Sequence, residues 1–199
     1  MIPEKKEIRA FYNDNFIRVY QAFNNAIADT ALKNQTFIPP FFKLERTTWI
    51  KPSFCWMMYR CGWGNKDNQE RILSIDIKID RFLWALQNSC LSHYDKDVYL
   101  TKENWEKEIK TRPVIIQWDP ERDIYLNKLP YKTIQIGLTP IATRLYLDNW
   151  ILKITDITEY ARNIKILLDE NRIEEVSKKL TLEKRLLIQS DIAKKIGIH

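Results

Sequence analysis

The stretch "RILSIDIKI", residues 71–79, decides the fold class. Its apolar residues Leu73, Ile75, Ile77 and Ile79 alternate with polar ones, a pattern typical of a β-strand with one buried face and one solvated face. The next stretch, "DRFLWALQ", has helical spacing, and Asp80 is placed to cap that helix. A strand that leads directly into a helix indicates a domain in which α and β elements mix.

The same change of period recurs on both sides of this stretch. Strand patterns occur in "FIRVY", "KTIQIGL" and "ILKITDI", and "PVIIQW" is a short apolar run that suits a buried strand. Helical patterns occur in "NNAIADTALKN", "SFCWMMYR" and "IATRLYLDNW". We therefore expect an α+β fold with mixed, mostly antiparallel sheets flanked by helices, and with helices at the C-terminal end.

Length and composition favour one domain. The chain has 199 residues, of which 45% are hydrophobic, enough for one sizeable core. We expect a flexible N-terminal segment over residues 1–15, a catalytic-like domain over residues 16–170, and a basic amphipathic helical segment over residues 171–199 that packs on the domain.

Several classes of protein are disfavoured. No apolar run approaches the roughly 20 residues that cross a bilayer, and the start "MIPEKKEIRA" lacks the apolar core of a signal peptide. Three cysteines form no even disulfide framework, so we expect a cytoplasmic protein without a membrane partner. The net charge of +6 favours a polyanionic partner such as RNA or DNA, or serves only solubility.

Metal binding is also disfavoured. Cys55, Cys61, Cys90 and His93 could supply four zinc ligands, but five residues separate the first two cysteines, which departs from the spacing of structural zinc sites. Packing of the cysteines as small apolar residues is the better interpretation.

The richest stretch is "TTWIKPSFCWMMYRCGWGNK", residues 47–66. Thr48, Lys51 and Ser53 lie beside Trp49 and Trp56, a combination that could stack a flat ring and hydrogen-bond a ribose or phosphate. The alternative is an aromatic-rich core helix that begins at a serine cap. In either case, Gly62 and Gly64 indicate positive φ at the turn after the helix.

A second polar stretch is "QWDPERD", residues 117–123. Asp119, Glu121 and Asp123 follow the apolar run of a buried strand, and loops after strands often carry catalytic groups. A charged surface turn is the alternative.

These stretches carry a resemblance. "VYQAFNNAIADTAL", "TTWIKPSFCWMMYRCGWG", "QERIL", "CLSHYD", "IQWDPERD", "LPYKTIQIGL" and "ITDIT" resemble, in this order, the sequence blocks of the family called domain of unknown function 4291. The likeness covers about residues 16–160. The family name implies little about activity.

A more distant resemblance concerns the order of three residues. Arg18 on a strand, Ser53 before a helix and a late Glu121 resemble the arginine, serine and glutamate order of ADP-ribosyltransferases. This resemblance implies NAD as substrate, with Glu121, or Asp119 in its place, stabilising positive charge on the ribose. It also implies that Arg18, rather than Lys51, holds the phosphates.

The same resemblance gives roles to the aromatic residues. Trp49, Trp56 or Tyr20 would sandwich the nicotinamide ring, and Thr48 would add a hydroxyl to that wall.

Three hypotheses follow. The first is an NAD-dependent ADP-ribosyltransferase that modifies a nucleic acid or a protein. The second is a non-catalytic module that binds single-stranded nucleic acid by stacking and phosphate contacts. The third is a metal-dependent nuclease that uses Asp119, Glu121 and Asp123.

Overall fold

Ten strands and eight α-helices account for most of residues 5–198, the part of the chain described by the computed structural model. The strands are β1 (Lys5–Lys6), β2 (Arg9–Ala10), β3 (Phe16–Phe23), β4 (Thr48–Ile50), β5 (Arg71–Lys78), β6 (Ser89–Leu91), β7 (Val114–Arg122), β8 (Lys128–Leu138), β9 (Ile151–Asp156) and β10 (Lys184–Arg185). The helices are α1 (Asn25–Asn34), α2 (Phe54–Cys61), α3 (Ile79–Gln87), α4 (Lys102–Thr111), α5 (Pro140–Leu145), α6 (Thr158–Asp169), α7 (Ile173–Lys179) and α8 (Ser190–Lys195), and a π-helical turn, Tyr146–Trp150, continues α5.

The strands form two larger sheets and one small sheet, which consists of β2 and β10. The first sheet has the order β3-β5-β9 and is antiparallel, while the second has the order β1-β8-β7-β6, with β4 also paired to β8. Two pairs, β1 with β8 and β6 with β7, are parallel, and the other pairs are antiparallel. The expected α+β class with mixed, mostly antiparallel sheets is confirmed.

A backbone bridge joins the two larger sheets. The amide of Tyr20 on β3 donates to the carbonyl of Lys51, one residue after β4, at 2.7 Å. Beside this contact, residues of β3 and β4 line a cleft.

The core has two parts. The larger cluster lies between the sheets and includes Ile17, Ile75 and Ile136. The smaller cluster packs α2 and α6 against the other face of β3 and β5 and includes Met57, Ile72 and Ile164. The prediction of a solvated second face on β5 is therefore wrong, because the smaller cluster covers it: Ser74 and Asp76 are buried.

Two other local expectations change. Helix α3 begins at Ile79, with Lys78 as its N-cap residue and no side-chain cap, so Asp80 lies in the first turn, where its charge favours the helix dipole. Asn24 does cap α1, as predicted, by accepting from the amide of Ile27.

The chain ends differ from the expected flexible and helical segments. Residues 1–4 and 199 lie outside the described residues. Residues 5–10 contribute β1 and β2, and Ile8 and Ala10 are fully buried, because β8 and β10 supply strand partners for this segment. In the C-terminal segment, α7 and α8 are helical as predicted, but the chain between them is extended around β10.

Over residues 5–198, every helix is too short or too polar to cross a lipid bilayer.

Candidate functional site

Helix α2 is the element that organises the site. Ser53 caps its start by accepting from the amide of Trp56 at 3.1 Å. The chain turns sharply after it, with φ of 59° at Gly62 and 78° at Gly64, which confirms the role predicted for the two glycines. The turn returns the chain to β5, while α2 packs against β7.

Under α2, the β7–β8 hairpin presents a polar face. Gln117 lies opposite Gln135, and Asp119 lies opposite Thr133. Asp119 accepts hydrogen bonds from Gln117, at 3.0 Å, and from Gln135. The carboxylate of Asp119 is therefore held in one orientation by two amides.

The expected position of the acidic stretch is corrected. Asp119 and Glu121 belong to strand β7 and not to a loop after it, because the strand continues through Pro120. The register shifts between Pro120 and Arg122, and such a bulge accommodates a residue without an amide hydrogen. Asp123 follows the strand and accepts from the amides of Tyr125 and Asn127 in its own turn.

Ser53 and Glu121 are brought into direct contact. The hydroxyl of Ser53 donates to Oε1 of Glu121 at 2.8 Å, and the amide of Arg122 donates to the same oxygen at 2.8 Å. Only 3% of Glu121 is exposed, and burial raises the pKa of its carboxyl although both hydrogen bonds lower it.

A second carboxyl group, Glu183, lies beside this contact. Its Oε1 accepts from the amide of Phe54, the first residue of α2, at 2.8 Å. Burial, and to a lesser degree the nearby charge of Glu121, raise the pKa of Glu183 to about 8. The sequence offered no signal for this residue, because "TLEKR" reads as part of a basic tail.

Lys51 also lines a second feature, a basic cleft of about 540 Å³. We define the basic cleft by its residues from the end of β3, the start of α1, the segment before β4, β4 and the following Lys51, α2, and the turn at residues 68–69. Its cationic residues are Lys43, Arg46, Lys51 and Arg60. No aspartate or glutamate is among the described residues that line it.

Three residues predicted from the sequence line this cleft: Thr48, Trp49 and Lys51. Trp49 packs on Gly137 of β8, where a Cβ atom would come within 2.9 Å of the indole ring. Gln21 also lines the cleft. Its side chain donates to the carbonyl of Trp49 at 3.1 Å and accepts from the hydroxyl of Tyr146.

Lys51 lies between the basic cleft and the polar hairpin face. It is 8% exposed, and its Nζ donates to the carbonyl of Trp49 at 3.0 Å. Burial, and to a lesser degree the charge of Arg60, lower the pKa of Lys51 to about 7, and Cys61 and Asp119 oppose the shift. The charge of Asp119 therefore reaches the amine that lines the cleft.

Arg18 has a different environment. Its guanidinium donates to both carboxylate oxygens of Asp76, at 2.7 and 2.9 Å, and its terminal carbon lies 4.9 Å from the centre of the Phe11 ring. The hydrogen bonds that Arg18 donates to Asp76 raise the pKa of Arg18. Arg18 is absent from the described lining of the basic cleft.

Five other predicted residues are also absent from that lining, as far as residues 5–198 show: Tyr20, Ser53, Trp56, Asp119 and Glu121. Tyr20 is 2% exposed and packs edge-on against Phe54, and Trp56 is 4% exposed. Sequence reasoning did not single out Lys43, Arg46, Arg60 or Gln21, which the fold brings to the cleft from separate segments.

The candidate metal ligands do not gather. Cys61 and Cys90 are fully buried, and burial raises the pKa of both thiols. Among the described residues, no three histidine, cysteine, aspartate or glutamate side chains form a group that could hold a metal ion. Asp119, Glu121 and Asp123 each bond to different partners.

Comparison with known proteins identifies the family. No curated protein matches the sequence at a significant level. Residues 7–186 match the sequence model of the family described as a domain of unknown function, DUF4291, and the chain belongs to this family.

Proposed function

We propose that the protein is an NAD-dependent ADP-ribosyltransferase that holds NAD in the basic cleft and transfers ADP-ribose to a nucleic acid or a protein. The observation that carries this proposal is the composition of the cleft, which collects four cationic side chains and no carboxylate among its described lining residues.

Charge and size both fit a dinucleotide. The pyrophosphate of NAD carries two negative charges, and the guanidinium groups of Arg46 and Arg60 suit phosphate oxygens because they donate in a planar fork. The cleft volume of about 540 Å³ lies within the usual range of roughly 300–1,000 Å³ for ligand pockets. Trp49 supplies an aromatic surface in the lining of the cleft.

The reaction needs a carboxylate near the ribose. The bond between C1′ of the ribose and nicotinamide breaks, its electron pair leaves with nicotinamide, and positive charge develops on the sugar. The acceptor atom then bonds to C1′ and loses its proton. A fixed carboxylate lowers the barrier because it stabilises the charge that develops.

Asp119 suits this role better than Glu121. Two glutamine amides orient Asp119, and its charge opposes the lowering of the Lys51 pKa, so the ribose has to extend past Lys51, beyond the described lining of the cleft, to reach it. Glu121 is buried with a raised pKa, and Ser53 and the amide of Arg122 occupy one of its oxygens. We therefore assign charge stabilisation to Asp119 and positioning of α2 to Glu121.

Calorimetric titration of NAD tests binding. The wild-type protein should bind NAD, and Arg46→Ala and Arg60→Ala should each weaken binding by roughly tenfold, the effect of losing one charge-assisted phosphate contact. Arg144→Ala is the matched control, because Arg144 is an exposed arginine on α5, away from the cleft lining. No binding to the wild-type protein would overturn NAD as the ligand.

Release of nicotinamide tests the chemistry. Asp119→Asn should keep NAD affinity and lose release of nicotinamide by roughly 100-fold or more, as expected when a transition-state charge loses its partner. Loss of release in Glu121→Gln but not in Asp119→Asn, with both proteins folded, would exchange the two roles.

One observation favours a second candidate, the binding of single-stranded nucleic acid. Phe41, which is 53% exposed, lies on the lining of the same cleft beside Lys43, and exposed aromatic rings next to cations suit base stacking and phosphate contacts. This candidate predicts affinity for single strands that falls steeply with salt and persists in Asp119→Asn.

A further inference from the structure

The amine of Lys51 stands at the inner wall of the basic cleft in an unusual setting for a lysine. It is nine-tenths buried, yet it lines the cleft. An ammonium group has three donors, and among residues 5–198 the carbonyl of Trp49 is the acceptor that Nζ bonds. The centre of the Trp56 indole ring lies 5.9 Å from Nζ of Lys51.

The charges that surround this amine are unbalanced. Lys43 and Arg46, from the segment before β4, and Arg60, from α2, line the same cleft. The groups that favour a charged amine are Asp119 on β7 and Cys61 on α2. Asp119 is already engaged by two amides, and the Cys61 thiol stays protonated because burial raises its pKa.

We infer that Lys51 couples the binding of phosphate groups to the uptake of a proton: it is mainly a neutral amine in the empty cleft above neutral pH, and it becomes an ammonium when a phosphodiester or pyrophosphate docks beside it. The inference rests on the part of the proposed function in which the basic cleft binds phosphate, and not on the transfer reaction.

The direction of the coupling follows from electrostatics. Burial and the charge of Arg60 lower the pKa of Lys51 to about 7. A nearby anion favours the charged form and raises this pKa again. At pH 6 the amine already carries its proton, so binding takes up little. At pH 8 most of the free protein lacks this proton, so binding removes one from the solution.

Calorimetry in buffers with different ionisation enthalpies measures this uptake directly. The probe is ADP-ribose, because the charge of its pyrophosphate diester stays constant over this range of pH. Linkage predicts uptake of roughly 0.8 proton per ligand at pH 8 and about 0.1 at pH 6. The affinity of the wild-type protein should also fall by roughly 20-fold as the pH rises from 7 to 9.

Two substitutions of Lys51 and one control define the source of the proton. Lys51→Arg keeps a cation that does not titrate, so it should bind ADP-ribose with about 0 proton taken up at pH 8. Lys51→Met should also show no uptake and should bind more weakly. Lys43→Arg changes an exposed lysine of the same cleft and should leave the uptake unchanged.

The results that overturn the inference are distinct from those that overturn the function. Binding of ADP-ribose without proton uptake in the wild-type protein, or with equal uptake in Lys51→Arg and Lys51→Met, removes the inference and leaves the transferase proposal intact. A second probe, a short single-stranded oligonucleotide, carries phosphodiesters of fixed charge. If it binds with uptake through Lys51 while NAD and ADP-ribose do not bind, the inference stands and the transferase proposal falls. If neither probe binds, the inference falls with the phosphate site.

Discussion

Ser53 and Glu121 lie 68 positions apart in the chain and share a buried hydrogen bond of 2.8 Å. The same hydroxyl oxygen accepts from the amide of Trp56 at the start of α2. One serine therefore fixes both the start of the helix and the position of the helix on β7.

Replacement of Ser53 should reveal both functions. Ser53→Ala removes the helix cap and leaves a buried carboxyl without one partner, so the free energy of unfolding should fall by roughly 2–3 kcal/mol. Thr101→Ala is a suitable control, because Thr101 caps the exposed helix α4 and holds no second element; it should cost about 1 kcal/mol. Equal losses in urea denaturation would show that the Glu121 contact adds nothing.

Glu183 should make stability depend on pH. Its folded pKa, about 8, lies above the ordinary value of 4.5, so the folded protein holds a proton that the unfolded chain releases. This stabilisation is complete below pH 4.5 and is lost as pH rises towards 8, by roughly 2–3 kcal/mol after allowance for solvent screening. Because Glu183 keeps its proton at low pH, Glu183→Gln should match the wild type near pH 5 and exceed it near pH 8.

Urea denaturation at several pH values between 5 and 8 provides this comparison. Glu183→Ala serves as the control, since it removes the acid and also the acceptor of the Phe54 amide. It should be less stable than Glu183→Gln throughout. Parallel pH profiles for the wild type and Glu183→Gln would show that another group causes the dependence.

Arg18 should act on stability rather than on ligand binding. It forms a paired hydrogen bond with Asp76 in a partly buried position, so Arg18→Ala should lower the free energy of unfolding by roughly 2–3 kcal/mol. The double variant with Asp76→Ala should lose less than the sum of the two single variants. NAD affinity should stay within about threefold of wild type.

The opposite pattern would support the role that the resemblance implied. If Arg18→Ala folds with little loss of stability and no longer binds NAD, Arg18 contacts the phosphates and must exchange Asp76 for the ligand.

Gly137 should be intolerant of a side chain. A Cβ atom there would lie 2.9 Å from the Trp49 ring and 3.1 Å from Thr47, so Gly137→Ala should displace the wall of the basic cleft and cost roughly 1–3 kcal/mol. A Cβ atom at Gly62 would lie 3.5 Å from the nearest side-chain atom, an ordinary contact, but φ there is 59°. Gly62→Ala should therefore cost about 1 kcal/mol through backbone strain alone.

Ligand titration separates the two glycine variants. Gly137→Ala should bind ADP-ribose more weakly than wild type, whereas Gly62→Ala should bind it normally. Normal binding by a folded Gly137→Ala protein would show that Trp49 does not shape the ligand site.

The sequence alone predicted those elements whose pattern is local. β5 and β8 were predicted from the alternation of apolar and polar residues within each strand, and α1 from the asparagine cap next to it. β4 and β6 are three residues long, too short to show a period. Helix α4 has no fully buried residue, and its apolar stripe is limited to Trp105 and Ile109.

The site was predictable only in part for the same reason. Thr48, Trp49 and Lys51 are neighbours in the sequence, so they were predicted together as parts of one ligand site. Arg60 and Glu183 reach their positions through tertiary packing, and a single sequence contains no sign of such long-range pairing. The continuation of β7 through Pro120 was missed because proline usually ends a strand.

The pairing of β2 with β10 has a consequence for the order of events during synthesis. Lys184 and Arg185 pair with Ala10 and Arg9, and Lys6 donates to the carbonyl of Gly197. Residues 9 and 10 therefore stay without these partners until residues 184 and 185 have been synthesised. A nascent chain stopped before residue 184 would leave the backbone of β2 unpaired and Ile8 less covered, so the domain can close only after residue 185 has left the ribosome.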